Sequence, residues 1–343
     1  MLTAALVGCG AMSKGWLNAL ASSELLNGKV SVVGLVDLDA NLAAERAAEF
    51  SLNQAVVGDN LDEVLSRTEP DMLFDVVSPA ARQSVVETGL RRGCHVLSEK
   101  PMAVSMEAAR ALISAARKAG RIHAVVQNRR FHSGVRRLRN FVESDAIGAL
   151  TAIHADFFIG AHFGGFREEM DHVLLLDMSI HTIDAARFIA GKQPKAVYCL
   201  ETNPPNSWFR HGATANAVFE LADDVVFTYR GSWCAEGANT SWESAWRIIG
   251  AKGTVLWDGG DRFEAHVVTG NDGFLRELAP VDVPAAPEEW KTRGHASVIA
   301  DFVDAIEKRR SPETDSADNI KSLAMVFAAV ESAASRSRVR IET

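Results

Sequence analysis

Three groups of residues in this chain have types and spacings that suit chemistry. The first is Gly8-Cys9-Gly10-Ala11-Met12-Ser13, with Asp37 behind it. Gly8 permits a tight turn. Gly10 lets a pyrophosphate approach the backbone, where the N–H groups of Ala11, Met12 and Ser13 and the dipole of the following helix would hold it. Ser13 stands where such a fingerprint has its third glycine; serine is small and can cap a helix. Asp37 follows the next strand, close to the offset of about 20 residues at which an acid reaches ribose hydroxyls. A carboxylate there repels a 2′-phosphate, so the pattern predicts NAD rather than NADP. The plain alternative is a tight turn with a surface aspartate.

The second group is Asp177 and His181, four residues apart and therefore on one face of a helix. Imidazole titrates nearest neutral pH and suits a general base. Asp177 could orient that ring or bind a neighbouring hydroxyl, and a satisfied helix pair fits the spacing equally. The third group is looser: His162, Arg167, His172, Trp208, Arg210, His211 and Trp233. Aromatic rings stack on sugar faces and arginines grip carboxylates, so an anionic sugar and an ordinary polyol both fit. Asp171, His172, Asp177 and His181 are a further cluster of metal-ligating residue types. There is no HExxH pattern and the cysteines are remote, so no metal is expected.

The elements that must position these groups fall into two textures. Apolar runs at 2–7, 30–36, 72–77, 95–97 and 122–126 alternate with helix-like stretches at 13–20, 41–50, 82–91 and 105–118. This pattern implies a parallel sheet covered on both faces, a doubly wound α/β domain over residues 1–123. Residues 124–343 read as an α+β domain. Helices are expected at 131–143, 176–190, 297–308 and 317–334, with a large open, mostly antiparallel sheet between 196 and 268 and a surface loop at 280–287. The terminal helix could pack back on the first domain.

Composition narrows the classes. The chain has 343 residues, 47% hydrophobic and 23% charged, which excludes a disordered or collagen-like chain. Its formal charge of -8 makes it a poor partner for nucleic acid or anionic lipid. Cys9, Cys94, Cys199 and Cys234 show no CxxC or zinc-finger spacing, which suits reduced thiols. The first residues lack the basic region of a signal peptide and no apolar run reaches about 18 residues, so a cytoplasmic protein is expected.

Further motifs carry a resemblance. Val96-Leu97-Ser98-Glu99-Lys100-Pro101, joined to the glycine turn, resembles the Gfo/Idh/MocA oxidoreductases, which include inositol dehydrogenases and glucose–fructose oxidoreductase. Ser78-Pro79 matches a Thr/Ser-Pro motif beside the nicotinamide. Asn128-Arg129-Arg130-Phe131 is similar to an Asn-x-Arg-Phe motif. The segment from Asp177 to Asp184 is similar to an Asp-x-x-x-His-x-x-Asp helix. Gln83 stands where the family usually has a histidine, and Val173 to Leu176 where many members have glycines.

The resemblance implies a Rossmann NAD domain followed by a substrate-binding and oligomerisation domain, and a cis Lys100–Pro101 bond. Gly8, Gly10, Ala11, Met12, Ser13, Asp37, Ser78, Pro79, Glu99, Lys100 and Asn128 would bind the cofactor. Lys100, Asp177 and His181 would be catalytic. Apart from the resemblance, Arg130, His162 and Arg167 are expected to face substrate. Oxidising a secondary alcohol moves a hydride to NAD and a proton to a base, and a lysine ammonium can polarise the oxygen between. The implied activity is that of an NAD(H)-dependent sugar or polyol dehydrogenase, assembled as a homodimer or homotetramer through the second sheet. An NAD-dependent glycoside-cleaving enzyme and a non-catalytic NAD sensor are the alternatives.

Overall fold

The computed structural model describes residues 1–343. They form two compact units, Met1–Phe131 with Arg293–Ile320, and His132–Thr292 with Lys321–Thr343.

The first unit is built on six strands: β1 (Leu2–Val7), β2 (Val30–Val36), β3 (Val56–Gly58), β4 (Met72–Asp75), β5 (His95–Ser98) and β6 (His123–Val125). All pair in parallel, in the order β3-β2-β1-β4-β5-β6. Strand order reverses between β1 and β4, and ligands of such sheets bind outside the carboxyl ends at that point. The helices between the strands are α1 (Ala11–Ser22), α2 (Ala40–Glu49), α3 (Leu61–Thr68), α4 (Pro79–Arg91) and α5 (Met106–Ala119). β4 is buried along its whole length, as a strand covered on both faces must be. The sequence reading lacked β3 and α3. Three residues of strand are too short to show a period.

The second unit carries α6 (Ser133–Glu143), α7 (Ile180–Ala190) and a nine-stranded sheet. Its strands are β7 (Leu150–Phe158), β8 (Pro194–Thr202), β9 (Thr214–Leu221), β10 (Val226–Ser232), β11 (Ala245–Gly250), β12 (Gly253–Trp257), β13 (Phe263–Val268), β14 (Leu278–Pro280) and the terminal β15 (Val339–Arg340). Only β7 and β10 pair in parallel; every other pair is antiparallel. β9 alternates strictly, with Ala215, Ala217, Phe219 and Leu221 inward and Asn216 and Val218 outward, which is the pattern of a sheet with one open face. The sequence reading placed no strand at β7, yet β7 is the middle strand of the sheet.

Two further helices follow, α8 (His295–Lys308) and α9 (Ser316–Ser335). α8 belongs to the first unit. Its Val298, Ile299, Phe302 and Val303 enter one core with Leu6, Trp16, Phe74 and Leu97. No helix is long and apolar enough to cross a membrane. All four cysteines are free and buried.

Candidate active site

In the first unit, the cofactor candidates lie at the carboxyl ends of β1, β2, β4, β5 and β6. β1 runs into Gly8 at φ 92°, where a Cβ would sit 2.7 Å from the Val76 carbonyl carbon and oxygen. Only glycine fits between the first turn and the backbone that follows β4. α1 then starts behind Gly10 with no side-chain cap and no acid in its first turn. Ala11 and Met12 are exposed there, so their N–H groups are open to an anion. Ser13 differs from expectation. It is fully buried, and its N–H and hydroxyl both donate to the Gly10 carbonyl, at 3.1 and 2.6 Å. It braces the turn from beneath, while the open donors are those of Ala11 and Met12.

Asp37 reaches across from the end of β2. One carboxylate oxygen accepts the Cys9 N–H at 2.7 Å and the other the Asp39 N–H at 3.1 Å. The acid thus fixes the glycine turn and stands beside it, where ribose hydroxyls would come. Burial, then the Asp37 charge, pushes the Cys9 thiol up to about 12, so Cys9 is no nucleophile.

Ser78 precedes α4 and Pro79 is its first residue, where a missing N–H costs nothing. Gln83 bonds only Glu87, at 3.0 Å on the surface. After β5 the Lys100–Pro101 bond is cis. Glu99 is buried and receives the Trp16 indole N–H at 2.8 Å, the His295 Nε2 at 3.3 Å and the Lys100 N–H at 3.1 Å. His295 Nδ1 meets the Asn128 amide at 3.2 Å. Trp16, Glu99, His295 and Asn128 therefore form one network that holds the turn carrying Lys100. Sequence reasoning missed Trp16 and His295, because the contacts from Glu99 span 83 and 196 residues of chain. Arg130 does not fit the substrate role expected of it. It is buried, bonded to the Glu313 carbonyl at 3.0 Å and to Asp318 at 2.8 Å, and ties the start of α9 to the turn after β6.

Burial pushes the Glu99 carboxyl up, but the hydrogen bonds from His295 and Trp16 and the charges of His295 and Lys100 outweigh it and leave it below its ordinary 4.5. The folded state thus binds this proton less readily than the unfolded chain. Its stabilisation is complete above the ordinary value and fades as pH falls through the folded one. Glu99→Gln is expected to cost about 2 kcal/mol at pH 7. Thermal melts of the two proteins should draw together as pH falls below the ordinary carboxylate range; an offset that does not shrink with acid would contradict the assignment.

In the second unit, Val173, Leu174 and Leu175 are fully buried, and Leu176 is partly buried. The stretch that carries Asp177 is a π turn, Leu174–Ser179, which runs into α7 just before His181. Such turns are frequent at functional sites, where they re-aim one side chain relative to the next. Asp177 accepts a hydrogen bond from Arg167 Nε at 2.9 Å. Arg167 comes from a 3-10 turn, Gly165–Glu169, and its guanidinium lies 5.1 Å from the Phe163 ring and 4.9 Å from that of Phe166. The structure thus joins two residues expected separately in the site. Asp184, the last acid of that motif, is fully buried and bonded to Ser322 of α9 at 2.6 Å, a structural role.

The looser candidates separate. His162 stacks on Trp208 at 3.7 Å and bonds Glu236 at 3.1 Å. His172 pairs with Glu201, which pushes its imidazole above the ordinary 6.5 against the effect of burial. His211 faces Asp171 at 3.2 Å and Arg210 bonds Glu169 at 2.8 Å. Trp233 is buried beside Phe157, Phe163 and Trp242. No group of three or more His, Cys, Asp or Glu is placed to hold a metal ion.

Comparison with known proteins bears on the fold and the family. Residues 2–127 match the model described as "Oxidoreductase family, NAD-binding Rossmann fold", and residues 135–256 match the "GFO/IDH/MocA C-terminal domain". The 1,5-anhydro-D-fructose reductase of Ensifer adhaerens is 22% identical over 346 aligned residues, covering 98% of both chains. An oxidoreductase from Agrobacterium radiobacter, solved with NAD+, L-tartaric acid and magnesium, superposes with a TM-score of 0.85 at 20% identity, over 99% of this chain and 98% of that one. Levoglucosan dehydrogenase, solved with NADH and levoglucosan, gives 0.81 at 20% identity over 100% of both. With both of its domains matched in order, and with the glycine turn and the Glu99-Lys100-Pro101 turn at the carboxyl edge of one parallel sheet, the chain belongs to the Gfo/Idh/MocA family of oxidoreductases.

Proposed function

We propose that the protein is an NAD(H)-dependent dehydrogenase that moves a hydride between the nicotinamide and a secondary alcohol of a neutral sugar or cyclic polyol. The observation that carries this reading is the open, uncapped start of α1 beside Asp37, on the same sheet edge as the braced turn of Lys100. Bound NAD supplies the hydride acceptor. Ala11 and Met12 hold the pyrophosphate, Asp37 the ribose, and Ser78, Pro79 and Asn128 the nicotinamide end. The Lys100 ammonium polarises the alcohol oxygen as negative charge builds on it. His181 takes the proton, and Asp177 accepts a hydrogen bond from a neighbouring hydroxyl while Arg167 keeps it in place.

The surroundings of Asp177 support a neutral substrate over an anionic one. The basic side chains named there are already matched to carboxylates: Arg167 with Asp177, His172 with Glu201, His211 with Asp171 and Arg210 with Glu169. A second anion would meet acid as readily as base. The four buried, free cysteines suit a reducing compartment, so the cytoplasm is the proposed location. Tyr198, Leu200 and Val218 lie exposed on the open sheet face, which supports pairing of copies through that sheet.

Two measurements test the reading. An assay with NAD and a panel of inositols, sugars, uronates and aryl glycosides, recording NADH absorbance and aglycone release together, should show substrate-dependent NADH with neutral compounds. Aglycone release without NADH would mark a glycoside-cleaving enzyme, and NADH binding without any turnover a sensor. Separately, Asp37→Ser removes the carboxylate that would repel a 2′-phosphate. It is expected to weaken NAD at least about tenfold, the value of one charge-assisted hydrogen bond, and to narrow the preference over NADP. An unchanged NAD/NADP ratio would contradict the role of Asp37.

A further inference from the structure

The mechanism above makes no use of Arg82, a fully buried guanidinium in the first turn of α4. Its Nε donates to the Asp75 carboxylate at 2.8 Å, one terminal nitrogen to the Val77 carbonyl at 2.7 Å, and the other to the Pro101 carbonyl. Val77 immediately precedes Ser78, and Pro101 immediately follows Lys100. Asp75, also fully buried, completes the arrangement: its carboxylate accepts the Val77 N–H at 3.2 Å and its carbonyl accepts the Glu99 N–H at 2.8 Å. Two loops from different strands, one bearing Ser78-Pro79 and the other Glu99-Lys100, thus hang on one planar fork.

We infer that Arg82 is a positioning residue that sets the distance between the Ser78-Pro79 loop and the Lys100 turn, and so the placement of Lys100 against the nicotinamide end of the cofactor. The inference rests on the function proposed above for its kinetic consequence, but its structural content is independent of turnover. Stability alone is a weak reason for such a group. Buried ion pairs are often replaced by apolar side chains at no loss, because desolvating two charges offsets their attraction. What an apolar pair cannot do is hold two carbonyl groups from different loops in fixed directions. Lysine cannot do it either, since its single ammonium lacks the fork.

The test is amide hydrogen exchange of the full chain, followed in peptides covering residues 76–81 and 98–104, with NADH titration and turnover alongside. Arg82→Lys keeps a cation beside Asp75 but cannot span both carbonyls. It is expected to exchange at least about tenfold faster in both peptides while the rest of the first sheet is unchanged. kcat should fall about 30-fold or more with KM for NAD nearly constant, because small misplacement of a reacting group is costly to rate. Should Arg82→Lys not fold, the double variant Asp75→Asn with Arg82→Met removes both buried charges together and should loosen the same two peptides. Wild-type exchange in both peptides, or full rescue of kcat by Arg82→Lys, would overturn the inference. If the wild-type protein turns over no substrate, the proposed function fails, and the exchange result alone decides the role of Arg82.

Discussion

Lys100→Met is expected to lower hydride transfer about 10³-fold, the usual effect of removing a preorganised donor from a developing oxyanion. NADH affinity should stay within about threefold, since the change removes a contact made mainly in the transition state. Methionine preserves the length of the side chain and leaves the backbone of the turn to its existing supports, Glu99, His295 and Trp16. Stopped-flow NADH absorbance at saturating cofactor measures the first quantity, and NADH fluorescence titration the second. A mutant that binds NADH normally and turns over at the wild-type rate would remove Lys100 from the chemistry. Loss of NADH binding together with turnover would make it a cofactor ligand only.

The second large effect is expected at His181. Replacing it with glutamine removes a proton acceptor that a neutral amide cannot imitate, and general-base catalysis is worth about 10²–10⁴-fold. The pH profile is the sharper readout. In the wild-type enzyme the oxidation rate should fall toward acid as the imidazole takes up its proton. In His181→Gln the residual rate should lose that limb. Asp177→Asn should keep the limb and lower kcat/KM through substrate hydrogen bonding. A retained acid limb in His181→Gln would assign the base elsewhere.

Some of this site was legible in the sequence because backbone geometry restricts residue type. Gly8 must be glycine where a Cβ would strike Val76, and Asp37 must follow a strand to reach Cys9. The parallel sheet was legible because its strands are apolar along their length. β7 was not, because His154 and Asp156 face the open side and break the apolar run; its period of two was present and went unread. The π turn at Leu174–Ser179 has no signature in composition, so the spacing of Asp177 and His181 suggested an ordinary helix face. Arg130 and Arg167 were both expected to face substrate. Only tertiary structure shows that the first braces α9 and the second braces Asp177.

The central claim is that a hydride passes directly between a substrate carbon and the nicotinamide. It is tested most directly with a substrate from the panel carrying deuterium on the carbinol carbon, incubated with NAD and the purified protein, and the cofactor product weighed by mass spectrometry. The account predicts NADH heavier by one deuterium in place of hydrogen, formed in proportion to oxidised substrate. Unlabelled NADH, or loss of the deuterium to water with no reduced cofactor, would contradict it.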